Sequence, residues 1–151
     1  HGEHIKTDWE NGNIVLQYKK NGNTDFINAE LTPSEDQVID AGFDQYVREN
    51  WPNLVNFEVQ DFSYASPPHQ ANFTMRIKRM DENQCKKIIK NIDQHVCFKA
   101  EANNFLFRVF SKPIKLVYDN NKRLKKFYGV TNVLNPNGKN YFSEITYQYQ
   151  D

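Results

Sequence analysis

Apolar and polar positions alternate with period two along much of this chain, interrupted twice by helical spacing. Ile14, Leu16 and Tyr18 alternate with Val15, Gln17 and Lys19, predicting a short strand that ends at Asn21-Gly22-Asn23. A second extended piece covers 26–31. Thr32-Pro33-Ser34 stops it and predicts a helix, with Ser34 as N-cap, Glu35 and Asp36 in the first turn and Gln37 at the capping-box position. Ile39, Phe43, Tyr46 and Val47 share one face of that helix, and Pro52 argues against its continuing past Asn50. Residues 57–64 read as extended, and their apolar side switches after Val59, which predicts a bulge near Asp61. The turn Ser66-Pro67-Pro68-His69 leads into the clearest strand, where Phe73, Met75 and Ile77 face one way and Thr74, Arg76 and Lys78 the other. Asp81 then caps a second helix, with Gln84 at its capping-box position and Cys85, Ile88, Ile89 and Ile92 as its buried stripe.

The last third predicts strands at 96–100, 105–110, 114–118, 127–133 and 141–149, with Asn135-Pro136-Asn137-Gly138 as a hairpin turn. Ile145, Tyr147 and Tyr149 alternate with Thr146 and Gln148, so the final strand is expected to keep one wet face. The expected fold class is α+β: an antiparallel sheet with two short helices, split-βαβ-like, plus additional C-terminal strands. Residues 14–151 are expected to form one globular domain, and the polar residues 1–13 a flexible segment or tag remnant.

With 151 residues, eleven Phe and eight Tyr, the chain has ample material for a core and does not read as disordered. Nineteen basic and nineteen acidic residues cancel, which gives no general attraction to nucleic acid or to an anionic membrane. No apolar run reaches the roughly 18 residues a membrane span needs, although a removed N-terminal anchor is compatible with the sequence.

The candidate chemistry is sparse. His1 followed by His4 would suit a copper site if His1 were a true N-terminus and His69 or His95 joined it; the plainer reading is a tag remnant. His69 and His95 lack a nucleophile or carboxylate at triad spacing. Phosphate-cradling and zinc-binding motifs are missing, and the acidic residues are scattered. The basic clusters Lys86, Lys87, Lys90 and Lys122, Arg123, Lys125, Lys126 read as a solvated helix face and a charged loop more readily than as a polyanion grip. Asn72-Phe73-Thr74 matches a glycosylation acceptor but falls in the best predicted strand. No catalytic, cofactor-binding or metal-binding residue is therefore expected.

Cys85 and Cys97 are the only cysteines. An even count fits one disulfide in a secreted protein and two buried thiols in a cytosolic one. A helix running to Ile92 and a reversal over 93–97 let the two Cα atoms come within the roughly 5.5–6 Å of a disulfide, which is the expected state. Two reduced thiols remain the competing reading.

Three stretches, "TDFINAELTPSE", "RENWPNLVNFEV" and "ANFTMRIKRMDENQCKKIIKNI", carry a further pattern. Between about Ile14 and Ile92, the positions Ile27-Asn28-Ala29, Leu31, Pro33, Asn50-Trp51, Phe73-Thr74 and Cys85 resemble the globular head of type IVb pilins and minor pilins. The long apolar N-terminal helix of that family is not in this sequence, and its second cysteine lies near the C-terminus rather than at mid-chain like Cys97. Residues 98–151 do not align with it. The resemblance implies a pilin-like head acting as a secreted structural or adhesive subunit, extracellular or periplasmic. Its partners would be other protein subunits or a surface receptor, not nucleic acid or membrane. The alternative is another small α+β interaction module, such as a periplasmic binding component or a toxin immunity protein.

Overall fold

The computed structural model describes residues 4–19, 25–39, 42–104, 112–137 and 139–150, the side chains of 132–134 excepted. It opens on a hairpin. Strands β1 (His4–Glu10) and β2 (Asn13–Lys19) pair antiparallel, and β3 (Ile27–Leu31) adds to the other side of β2. Asn11 and Gly12 both sit at positive φ between β1 and β2, the two-residue turn that matches strand twist. Residues 4–10, expected to be loosely held, are thus a paired strand, and Asn11-Gly12 is the signal for it.

The predicted helix from Ser34 is corrected over its first half. The Ser34 N–H does donate to Gln37 Oε1, half of the expected capping box. No helix propagates from it, because Gln37–Ile39 forms strand β4 parallel to β5 (Gln60–Ser66). Gln37 Nε2 spends its protons on the Ser63 carbonyl and on Asn72 Oδ1, partners that only the folded sheet supplies. Helix α1 starts later, at Phe43–Glu49, and α2 follows at Trp51–Val55 with Pro52 in its first turn. The expected bulge near Asp61 is absent: β5 pairs with β6 (Ala71–Arg79) in unbroken register from Gln60↔Ile77 to Ser66↔Ala71.

From β5 onward the chain is an antiparallel meander. β6 pairs with β7 (His95–Ala102), β7 with β8 (Ile114–Asp119), β8 with β9 (Leu124–Leu134) and β9 with β10 (Asn140–Thr146). With β4 parallel on one edge, this makes a seven-stranded sheet curled into a half-barrel, beside the three-stranded sheet. The strand predicted at 105–110 lies outside the described residues.

The fold is therefore mostly β, and the expected α+β class, split-βαβ or pilin-like, is overturned. Its physical reason is the second helix. Asp81 caps it as predicted, accepting from the Gln84 N–H at 2.8 Å, but α3 is only Glu82–Lys86, followed by a single 3-10 turn at Ile92–Gln94. Five residues cannot build a helical layer, and the C-terminal strands extend one sheet instead of adding a second unit.

The sheet has an inner face, covered by α1 and α2, and an outer face. Val38, Phe62, Ile77, Phe98, Ala100, Leu116 and Tyr118 pack on the inner face with Tyr46, Val47 and Leu54 of the helices. Aromatic rings dominate there: Trp51 meets Phe98 at 5.4 Å and Tyr118 at 5.7 Å, and Phe43 meets Phe62 at 5.5 Å and Tyr64 at 5.3 Å. On the outer face, Met80, Cys85, Cys97 and Val117 cluster under Ile88, Ile89 and Ile92, and Cys85 is disulfide-bonded to Cys97 with Cα atoms 5.6 Å apart. Ile14 and Leu16 of the three-stranded sheet cover Ala65 at the other end of that face.

Phe98→Ala should therefore cost about 3–5 kcal/mol in chemical denaturation, whereas Lys87→Ala, exposed beside α3, should cost under roughly 0.5. Replacing both cysteines with Ser should lower stability by about 2–3 kcal/mol, since the bridge spans a sequence separation of 12. A shift for Phe98→Ala no larger than that of Lys87→Ala would refute the inner-face packing.

Candidate binding surfaces

Two of the histidines singled out as candidate chemistry, His69 and His95, have structural partners. Ser66 Oγ and His69 Nδ1 share a hydrogen bond of 2.9 Å in the β5–β6 turn, and the His69 ring stands edge-on to Phe73. His95 Nδ1 lies 2.7 Å from the Asn91 carbonyl, beyond the opposite end of β6. The two histidines are thus held apart by the full length of a strand, while His1 lies outside the described residues. Among the described residues, no group of three or more His, Cys, Asp or Glu is placed to hold a metal ion.

The second basic cluster is engaged within the chain. Asp119 Oδ1 accepts from the backbone N–H groups of Asn121 and Arg123, and its Oδ2 takes the Arg123 guanidinium at 2.9 Å. Burial works against ionisation of Asp119, but these donors outweigh it and hold the carboxyl below its usual range. Arg123 and Lys125 both lie over the Tyr149 ring, Lys122 over Trp51, and Lys126 pairs with Glu144 at 2.6 Å. This is a charged turn that fastens the C-terminal segment. The first cluster is cut short because α3 ends at Lys86.

A cleft of about 400 Å³ opens beside the disulfide, lined by Phe57, Arg79, Glu82, Asp93 and His95 among others. Its cation is committed: Arg79 donates to the Val55 carbonyl at 2.6 Å and stacks on Phe57 at 4.5 Å. Tyr118 OH and Asp44 Oδ1 are buried near each other under α1, and neither makes a hydrogen bond of ordinary geometry. Burial, and then the Asp44 charge, hold the Tyr118 phenol protonated. Neither place assembles a nucleophile with a base.

Two surfaces stand out instead. At the sheet edge, β10 exposes apolar side chains on both faces: Phe142 beside Val130 on the outer face, Tyr141 and Ile145 on the inner. The single wet face predicted for this strand is thus corrected. Tyr147 and Tyr149 continue the exposed aromatic line, with the Tyr149 hydroxyl donating to the Leu124 carbonyl at 3.0 Å. Among the described residues no strand pairs with the free side of β10.

The other surface is charged. On the outer face Glu101, 7% exposed, accepts from Arg76 Nε and Nη2 at 3.1 and 2.6 Å and pairs with Lys99 at 2.9 Å. Burial raises the Glu101 pKa, and the hydrogen bonds and charges of Lys99 and Arg76 more than reverse it, so the group titrates below its usual range. Sequence reading missed this surface because each strand contributes only one or two of its residues. The alternation at Arg76 and Lys78 was the available signal.

No protein-family model matches the chain, and no curated protein or solved structure does. The disulfide points to an oxidising compartment, extracellular or periplasmic, and no described helix is long and apolar enough to cross a membrane.

A depressed folded-state pKa stabilises the fold above the unfolded value and loses that contribution as pH falls. The Glu101 clamp should therefore be fully felt above about pH 5 and lost as pH drops below the ordinary value of 4.5. Urea denaturation at stepped pH should show Glu101→Gln flattening the acid limb of the stability curve. An unchanged acid limb would mean the clamp does not stabilise the fold.

Proposed function

We propose that the chain is a non-catalytic binding and assembly domain of an exported protein, whose strand β10 receives an extended segment of another protein subunit. The observation that carries this reading is the free, apolar edge of the seven-stranded sheet. An edge strand offers a row of unpaired N–H and C=O groups, and strand addition uses them for affinity and flanking side chains for specificity. Tyr141, Phe142 and Ile145 are exposed along that edge, and Tyr, Trp and Phe are the residues that protein interfaces favour.

The other edges are shorter or more charged. β4 has only three residues, β1 sets Lys6, Asp8 and Glu10 among its exposed Ile5 and Trp9, and the five-residue β3 presents Glu30 beside exposed Ile27. Charge and brevity are the ordinary protection against unwanted pairing, and β10, seven residues with the single charge Glu144, has little of either. The structural partners of His69 and His95 support a role without catalysis. A structural or adhesive subunit fits this surface, as does a small interaction module. The helix-plus-sheet head of a pilin is not part of the reading, because the fold differs.

Site-specific photo-crosslinking in the exporting cell tests the reading. A photoreactive residue at Tyr141 or Ile145 should give one discrete adduct with a protein subunit, absent when the probe sits at Asp93 beside the disulfide. Lys substituted at Phe142 and Ile145 should abolish the adduct formed through Tyr141 while leaving the circular dichroism spectrum unchanged. Equal adducts at Asp93, or adducts that survive the two lysines, would reject β10 as the contact.

A further inference from the structure

The registers of three adjacent strands set three lysines in one line. Lys78 of β6 is directly opposite Lys99 of β7, and Lys99 is directly opposite Lys115 of β8. Their neighbours Ile77, Phe98, Ala100 and Leu116 belong to the inner core, so all three lysines stand on the outer face. Strands lie about 4.8 Å apart, and like charges directly opposite one another destabilise a sheet. A row of half-buried lysines across three strands is a local cost that nothing in sheet formation requires.

The counter-charges nearby do not remove that cost. Arg76 lies two residues from Lys78 on the same face, and Asp61 is opposite Arg76 but accepts from Asn103 at 2.9 Å. Glu101 is shared between Arg76 and Lys99. Lys78 and Lys115 form no ion pair with any described residue. Among the described residues Arg76, Lys78, Lys99 and Lys115 thus have Asp61 and Glu101 as their nearby carboxylates, in a chain whose total charge is zero.

The row also lies in a trough. The three-stranded sheet covers Ala65 and reaches Asn72, which donates to the Thr32 carbonyl, at one end of the outer face. The Ile88, Ile89 and Ile92 cluster covers Met80, Cys97 and Val117 at the other. Between them the five residues Thr74 to Lys78 of β6, four steps of ~3.4 Å or about 14 Å, are covered by neither layer among the described residues. The floor of the trough runs across the strands, along the lysine row, towards Tyr128, which is opposite Lys115 on β9.

We infer that this trough binds a linear acidic polysaccharide, a uronate-type chain lying across β6, β7 and β8 with its carboxylates on Lys78, Lys99 and Lys115. The strand spacing is of the order of one sugar residue, and the long, flexible lysine side chains let the row reach carboxylates that a turning polymer chain presents to either side. Recession between two covering layers suits a single polymer chain and not a flat bilayer. Single-stranded nucleic acid calls for open aromatic platforms, whereas the Tyr128 hydroxyl is tied to Glu144 and the Phe142 ring carries Lys112. The disulfide places the trough in a compartment where such polymers are met. This surface is separate from the β10 edge, and its failure would leave that reading untouched.

The test measures binding of fluorescent polygalacturonate to the disulfide-intact chain at low ionic strength. Binding should be saturable, weaken as salt is added, and not occur with neutral dextran. Lys78→Gln with Lys115→Gln should weaken it about tenfold, the scale of losing two solvent-accessible ion pairs. Lys78→Arg with Lys115→Arg should keep it, and Lys87→Gln with Lys90→Gln beside α3 should keep it as well. Thermal melts of each pair establish that the chain is folded, and Lys115→Gln alone, reduced severalfold, serves if the double variant melts early. No binding by the native chain, an equal loss in the Lys87/Lys90 pair, or tighter binding of oligodeoxythymidylate or anionic lipid vesicles than of polygalacturonate would each overturn the proposal.

Discussion

The structure depends on aromatic packing between two short helices and the inner face of the curled sheet. Neither α1 nor α2 is long enough to be stable alone, since isolated helices below about 12 residues are marginal in water. Trp51 from α2 meets Phe98 of β7 and Tyr118 of β8, and those two rings touch each other at 5.8 Å. Tyr46 from α1 packs on Phe62 of β5 at 5.0 Å and donates its hydroxyl to the Asp61 carbonyl. Burial, with the charges of Asp36 and Asp61, pushes that phenol up to about 12, so it stays a donor throughout the ordinary pH range. The helices hold because the sheet holds them, and the sheet's inner face is filled because the helices lie on it.

The outer face has no such layer and is covered piecemeal. The three-stranded sheet buries Ile14 and Leu16 at one end, and a five-residue helix pinned by the disulfide serves at the other. Ile88, Ile89 and Ile92 are only half-buried there. A covalent link compensates for a segment whose apolar contacts are too few to fix it by packing. This also explains why Met80, straight after β6, has its N–H on the Cys97 carbonyl at 2.8 Å: the bridge and the backbone bond close the same corner.

Local patterns in the sequence carried as far as local physics reaches. Period-two alternation located β2 and β6, the strands predicted at 96–100 and 114–118 fall within β7 and β8, and the Asp81 cap, the Ser66 turn and the Asn135 turn stand where side-chain chemistry put them. Asn11-Gly12 was equally legible and was masked by the polarity of its surroundings, which is how an exposed hairpin reads. The Ser34–Gln37 pair shows the limit from the other side: half of its capping bond forms, and β4 forms anyway because Val38 is buried against the inner core. The disulfide was reachable from spacing. Sheet order was not, because a meander and a split βαβ unit share their local signals up to Ala100.

The same limit governs the surfaces. Lys78, Lys99 and Lys115 are separated by 21 and 16 residues, and nothing in any one strand marks them as neighbours; strand register alone aligns them. By contrast Lys122, Arg123, Lys125 and Lys126 look like a site in sequence and are a fastening in structure, because Asp119, Trp51, Tyr149 and Glu144 close around them. Charge density along a chain measures what is adjacent in sequence, whereas recognition needs charges that are adjacent in space and left without partners. In a sheet those conditions are met where one face is committed to the core and the other is free to vary. Here the inner face holds the aromatic core, and the part of the outer face between its two buried clusters is left to polar side chains. Substitutions at Lys78 or Lys115, which belong to none of the buried clusters, thus leave the packed core untouched.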